Sequence, residues 1–113
     1  MDCIFCKIIN KEIESKVVYE DEYVVAFHDI NKEAPVHILF VPKVHISNIN
    51  DITSENSIYV AKIYEAIAKV AKQEGISERG YRVISNTLED GGQTIMHLHY
   101  HLVGGKKLGI KIL

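Results

Sequence analysis

Apolar positions change their spacing along this chain, and the spacing marks out its elements. Ile4, Phe5, Ile8 and Ile9 recur at helical intervals within Cys3–Lys11, which predicts a short amphipathic helix. Val17-Val18-Tyr19 and Tyr23 to Phe27 are β-branched and aromatic, and Glu20-Asp21-Glu22 separates them, so a hairpin is expected. His28-Asp29-Ile30 closes the second strand, and Asn31 to Pro35 forms a loop. Val36 to Val41 reads as a third strand stopped by Pro42. After a connector at Asn48–Ile52, Thr53 or Ser54 is expected to cap a helix with Glu55 in its first turn. Ile58, Ala61, Ile63, Tyr64, Ile67, Ala68, Val70 and Ala71 give that helix a broad apolar face, and Gly75 stops it after Glu74. Tyr81 to Ser85 is a fourth strand. The polar loop Asn86 to Thr94 leads into a fifth, His97 to Val103, which ends at Gly104-Gly105.

The fifth strand alternates histidine with apolar residues. In extended chain, residues two apart share a face. His97, His99 and His101 would project one way, while Leu98, Tyr100 and Leu102 enter a core. Three buried imidazoles need several hydrogen-bond partners, so a purely structural role is costly. Neutral imidazole can be nucleophile, proton donor, proton acceptor or metal ligand near pH 7. A reaction centre is the reading that uses all three.

Composition narrows the partners. The 113 residues suit one domain, and 47% are hydrophobic and 25% charged, as in ordinary globular proteins. A net charge of −2 and no basic stripe give no support for nucleic-acid binding. No apolar run is long enough to span a membrane. Met1 to Cys6 lacks the regions of a signal peptide, so a cytoplasmic location is expected, where a structural disulfide is disfavoured.

Cys3-Ile4-Phe5-Cys6 is a C-x-x-C with three readings: half of a metal site, a redox pair, or two small apolar residues. A thioredoxin-like pair should follow a strand, and nothing upstream can form one. A metal needs two further ligands, and histidines are available. Asp29 fits a turn cap or the holding of vicinal hydroxyls. In the loop before the histidines, Gly91 and Gly92 let backbone N–H groups approach an anion such as phosphate.

The run His97-Leu98-His99-Tyr100-His101-Leu102-Val103 is His-φ-His-φ-His-φ-φ, where φ is apolar. Four other stretches accompany it in order: Cys3 to Ile9, Ala26 to Ile30, Ala34 to His45, and Asn86 to Thr94. On these residues the chain resembles the histidine-triad (HIT) nucleotide-binding superfamily, in the Hint branch that carries an N-terminal C-x-x-C. The resemblance implies an α+β fold: a five-stranded antiparallel sheet, one long helix and a short N-terminal helix, forming a single domain over residues 1–113. It implies a homodimer built through the long helix and a strand. It also implies a purine nucleoside monophosphate site. Phe5, Ile8, Phe27, Ile30 and Leu39 match the apolar base pocket, with His28 beside it. Asp29 matches the ribose ligand, and Asn86, Gln93 and Thr94 match the phosphate loop, Thr94 standing where serine is more usual. His99 matches the nucleophile that attacks the α-phosphorus of a nucleoside phosphoramidate or aminoacyl-adenylate. His101 matches a phosphate-side donor, and His101 or His37 could protonate the departing amine. Cys3, Cys6, His45 and His97 match a structural zinc site of Cys2His2 type. The tail after Gly105 lacks the tryptophan and prolines that shape the leaving-group pocket in some relatives.

Three other functions compete with phosphoramidate hydrolysis. A dinucleoside polyphosphate hydrolase belongs to the same superfamily, but the short C-terminus and Hint-like loop count against it. A zinc hydrolase could hold its metal on the triad, which leaves C-x-x-C without partners. A nucleotide-binding module with slow turnover is the non-enzymatic reading.

Overall fold

The computed structural model describes residues 3–113. Met1 and Asp2, which begin the stretch read for a signal peptide, lie outside the described residues. Helix α1 spans Ile4–Ile9 and α2 spans Ser57–Gln73. The strands are β1 Val17–Glu20, β2 Val24–His28, β3 Val36–Pro42, β4 Tyr81–Ile84 and β5 Tyr100–Gly104. They form one antiparallel sheet in the order β1-β2-β3-β5-β4. This is the expected α+β architecture. No helix among the described residues is long and apolar enough to cross a membrane.

Both faces of the sheet are covered, which explains the unbroken apolar runs at residues 24–27 of β2 and 38–41 of β3. On one face, Val24, Ala26, Ile38, Phe40, Tyr100 and Leu102 pack against Ile63, Ala66, Ile67 and Val70 of α2. These helix positions follow the i, i+3, i+4, i+7 rule for a buried stripe. On the other face, Phe5 of α1 packs on Val25, Phe27, Leu39 and Val41. The buried stripe of α2 is narrower than its sequence suggests, because Ile58, Ala61, Tyr64 and Ala68 stay exposed.

Two boundaries differ from expectation. Helix α2 begins at Ser57, because Thr53 and Asn56 spend their side chains on a preceding turn. Thr53 Oγ1 accepts from Glu55 N–H, and Asn56 Oδ1 accepts from Thr53 N–H. A 3-10 turn at Ile49–Asp51, capped by the Asn48 side chain, also fills part of the expected connector. The C-terminal stop is as expected: Gly75 adopts φ +73°, and the Ile76 N–H reaches back to the Ala71 carbonyl.

The histidine strand is the second difference. Regular pairing starts at Tyr100, so only His101 of the triad lies in the strand proper. Pro42 ends β3 and has no N–H to extend the ladder. The Leu98 N–H bonds instead to the Ile46 carbonyl, at 2.6 Å. The alternation of faces nevertheless persists back to His97. Leu98 joins the α2 core, while Phe5 meets His97 and His99 edge-on at 5.9 and 5.1 Å between centroids.

Candidate active site and metal-binding cluster

Four ligand-type side chains converge where α1 meets the approach to β5. Cys3 caps α1, and its Sγ accepts from the Cys6 N–H at 3.3 Å. Three residues apart on one helical turn, Cys3 and Cys6 face the same way. His97 Nδ1 lies 3.3 Å from Cys3 Sγ and 3.5 Å from Cys6 Sγ, and His45 Nδ1 lies 3.4 Å from Cys6 Sγ. The four ligand atoms are all within 4.8 Å of one another, close enough to bind a metal ion. His97 Nε2 donates to the Pro42 carbonyl at 3.1 Å, which leaves Nδ1 with its lone pair toward the sulfurs. Burial drives the His97 imidazolium down to about 4, so the ring is neutral, as a ligand must be. Burial and the neighbouring Cys3 sulfur push the Cys6 thiol up to about 11. A cation between the sulfurs would reverse that cost. The donor set of two sulfurs and two imidazoles fits a tetrahedral metal.

The other two triad histidines face a different environment. His99 Nδ1–H donates to the His97 carbonyl at 2.7 Å, so Nε2 carries the free lone pair. Ser85 Oγ donates to the His99 carbonyl at 3.0 Å and fixes the backbone on its far side. His37, on β3, sits beside His101 with 2.9 Å between Nε2 and Nδ1. The Glu33 N–H donates to His37 Nδ1 at 3.1 Å. His37 Nε2 is therefore the protonated nitrogen, and His101 Nδ1 the acceptor. His101 Nε2–H is then the outward donor. Asp29 Oδ2 lies 3.3 Å from His37 Nε2 and 4.0 Å from His101 Nδ1. Burial, then the charges of His99 and His37, holds His101 down to about 4 against the pull of Asp29. His101 is neutral at pH 7.

The residues read as a base pocket divide into a buried cluster and a set that lines a surface cavity. Phe5, Phe27 and Leu39 are buried, with Ile8 partly buried against them, and Phe5 meets Phe27 edge-on at 5.5 Å. His28, Asp29 and Ile30 leave β2 and line a cavity of about 660 Å³ with Glu14, Ser15, Lys16 and Lys32. Ile30 is 95% exposed, so it stands apart from the buried cluster. Asp29 Oδ1 accepts from the Asn31 N–H, which aims Oδ2 at the histidines.

The loop after β4 is shaped from within. A Cβ on Gly91 would meet the Thr87 carbonyl oxygen at 2.5 Å, so only glycine fits. Gly92 takes φ +79°. Gln93, expected to contact phosphate, is instead spent on the loop itself. Its amide donates to the Ser47 and Ile95 carbonyls and accepts from the Leu88 N–H. Its backbone N–H bonds to the Leu88 carbonyl. No donor of Gln93 is left for an anion. Asn86 and Thr94 make no side-chain hydrogen bond among the described residues, and Asn86 directly follows the Ser85 clamp on His99. Ser85, Pro42 and Glu33 escaped sequence reasoning. Two of them act through backbone atoms, which leave no mark in residue type.

A HIT domain model matches residues 10–108. The purine nucleoside phosphoramidase of Escherichia coli is 47% identical over 108 residues, covering 96% of this chain and 91% of that protein. A HIT family hydrolase from Clostridium thermocellum superposes with a TM-score of 0.97 at 51% identity, covering 99% of this chain and 97% of that one. A histidine triad protein from Clostridium difficile gives 0.95 at 51% identity, covering 98% and 96%.

Proposed function

This chain belongs to the HIT family, and from that premise we propose that it hydrolyses purine nucleoside phosphoramidates, or the related aminoacyl-adenylates, through a nucleotidyl-histidine intermediate on His99. The observation that carries the reading is the 2.7 Å bond from His99 Nδ1–H to the His97 carbonyl. It commits Nε2 to be the nucleophile before substrate arrives. The purine lies on the floor of Phe5, Ile8, Phe27 and Leu39, with Ile30 and His28 at its edge. Asp29 receives the ribose hydroxyls, and Asn86 and Thr94 offer donors to the phosphate.

Nε2 of His99 attacks phosphorus and forms a P–N bond. The bond to the leaving amine breaks, and its electron pair returns to the amine nitrogen. That nitrogen needs a proton. An arriving phosphate anion favours protonation of nearby imidazoles, so the His37–His101 pair takes up one proton as substrate binds, supported by Asp29. His101 Nε2–H delivers it. Water then attacks phosphorus, its proton passes to the same pair, and the P–Nε2 electrons return to His99. Charge on the non-bridging oxygens is met by His101, Asn86 and Thr94.

The same reading gives Cys3, Cys6, His45 and His97 to zinc. Bound there, zinc would be a closed structural tie with no part in the chemistry. A homodimer follows from the family, supported by the exposed Ile58 and Tyr64 on α2 and by the unpaired edge of β4. The two unpaired thiols agree with a cytoplasmic setting. The test is amine release from adenosine and guanosine phosphoramidates. His99→Ala should lose at least about 10³-fold in kcat while still binding the nucleoside monophosphate. Undiminished turnover would overturn the assignment.

A further inference from the structure

The ladder between β4 and β5 stops short of the nucleophile. Its last pair is Ile84 with His101, and the register then places Asn86 opposite His99. In an antiparallel ladder, hydrogen-bonded pairs alternate with pairs that make no bond. The His99 carbonyl faces β4, because it accepts from the Ser85 hydroxyl at 3.0 Å. The next main-chain bond of a continued ladder would therefore run from the Asn86 N–H to this carbonyl. No such bond forms among the described residues. Ser85, partly buried just beyond β4, supplies the bond from its side chain instead.

This exchange of donors has two effects. The first is on His99 itself. Its ring is fixed by Nδ1–H on the His97 carbonyl at 2.7 Å, and its main chain by the Ser85 hydroxyl. Displacement at phosphorus depends on the line of attack, so a nucleophile held at both ends keeps its alignment. The second effect is on Asn86. Among the described residues its main-chain N–H has no main-chain acceptor. A residue spent in the ladder could not offer that N–H to a phosphate oxygen. Serine suits the task because its hydroxyl rotates freely and its short side chain bonds readily to nearby backbone. A residue without a hydroxyl at position 85 would leave the His99 carbonyl unpaired. That carbonyl would then draw in the Asn86 N–H and compete with substrate for it.

We propose that Ser85 is a positioning residue for the reaction: its hydroxyl replaces a ladder bond to the His99 carbonyl, which aligns the nucleophile and releases the Asn86 N–H as a further donor to the phosphate. This rests on the phosphoramidase reading. The test compares wild type, Ser85→Ala and Ser85→Thr in turnover of an adenosine phosphoramidate, in adenosine binding and in amide hydrogen exchange. Ser85→Ala should lose about tenfold in kcat and bind adenosine, which has no phosphate, as wild type does. Ser85→Thr keeps the hydroxyl and should return to within about threefold of wild type. In wild type the Asn86 N–H should exchange freely, and adenosine monophosphate should slow it where adenosine does not. Full kcat in Ser85→Ala, an equal loss in the two variants, or a loss matched by a smaller folded fraction would overturn the positioning role. An Asn86 N–H already protected in wild type, or indifferent to the monophosphate, would overturn its release, and that measurement needs no variant to fold. A wild type that hydrolyses no phosphoramidate would overturn the phosphoramidase reading and the positioning role with it.

Discussion

At the scale of single residues, the triad is three different functional groups made from one side chain. Backbone atoms sort the ring nitrogens. The Pro42 carbonyl turns the His97 lone pair toward the sulfurs, and the His97 carbonyl leaves the lone pair of His99 on Nε2. The Glu33 amide acts through His37 to make His101 a donor. One consequence is a pH dependence of stability. His101 titrates near 4 in the folded chain, against 6.5 as its ordinary value, because burial opposes its charge. Below 6.5 the unfolded chain therefore binds the proton more readily. The stabilisation is complete above pH 6.5 and is lost as pH falls toward 4. Urea midpoints measured across that window should fall more steeply for wild type than for His101→Gln. Equal slopes would contradict it. Residue type alone made the three histidines look equivalent, because the groups that separate them are carbonyls and amides shared by every residue. The bond network of Gln93 was hidden for the same reason. Its type suggested a phosphate donor, and only the folded loop shows both amide hydrogens already taken.

At the scale of elements, patterning was informative wherever one principle dominated. The strands β2 and β3, the existence of α2 and its glycine stop were legible, although the buried stripe of α2 is narrower than its apolar face suggested. The start of α2 was not, because Thr53 and Asn56 bond to each other's turn in preference to capping the helix. The cysteine cluster acts at this scale. It brings α1, the segment after β3 and the approach to β5 together at one point, where a bound metal would tie them, and α1 is only six residues long. So short a helix has little intrinsic stability in water. Removal of metal by a chelator should therefore lower the melting temperature by about 10 °C. Cys3→Ser/Cys6→Ser should start lower and show no response to chelator. A melting temperature indifferent to chelator in wild type isolated with its metal would contradict the tie.

At the scale of the whole molecule, the cavity at Asp29 and Ile30 lies beyond β2 and the His37–His101 pair bridges β3 and β5, while α2 packs on the other face of the sheet. That order follows from the strand order β1-β2-β3-β5-β4, which brings His37 on β3 beside His101 on β5 across 64 residues of chain. Spacing within the sequence could not show this pairing. Among the described residues, Ile58 and Tyr64 on α2 are exposed, and β4 is an edge strand of the sheet. An open strand edge invites pairing. Sedimentation should give twice the 12.8 kDa chain mass. Ile58→Glu should shift it toward the single-chain mass without unfolding the protein, since an acidic residue in the first turn of a helix is favourable. A wild-type mass of one chain would contradict the dimer.

The central claim is that phosphorus is displaced twice, first by His99 and then by water. Each in-line displacement inverts the configuration at phosphorus, so two restore it. The most direct measurement is the stereochemical course of hydrolysis of a nucleoside phosphoramidate made chiral at phosphorus by sulfur or isotopic oxygen. Retention of configuration is expected. Inversion would mean a single attack by water and would contradict the covalent role of His99.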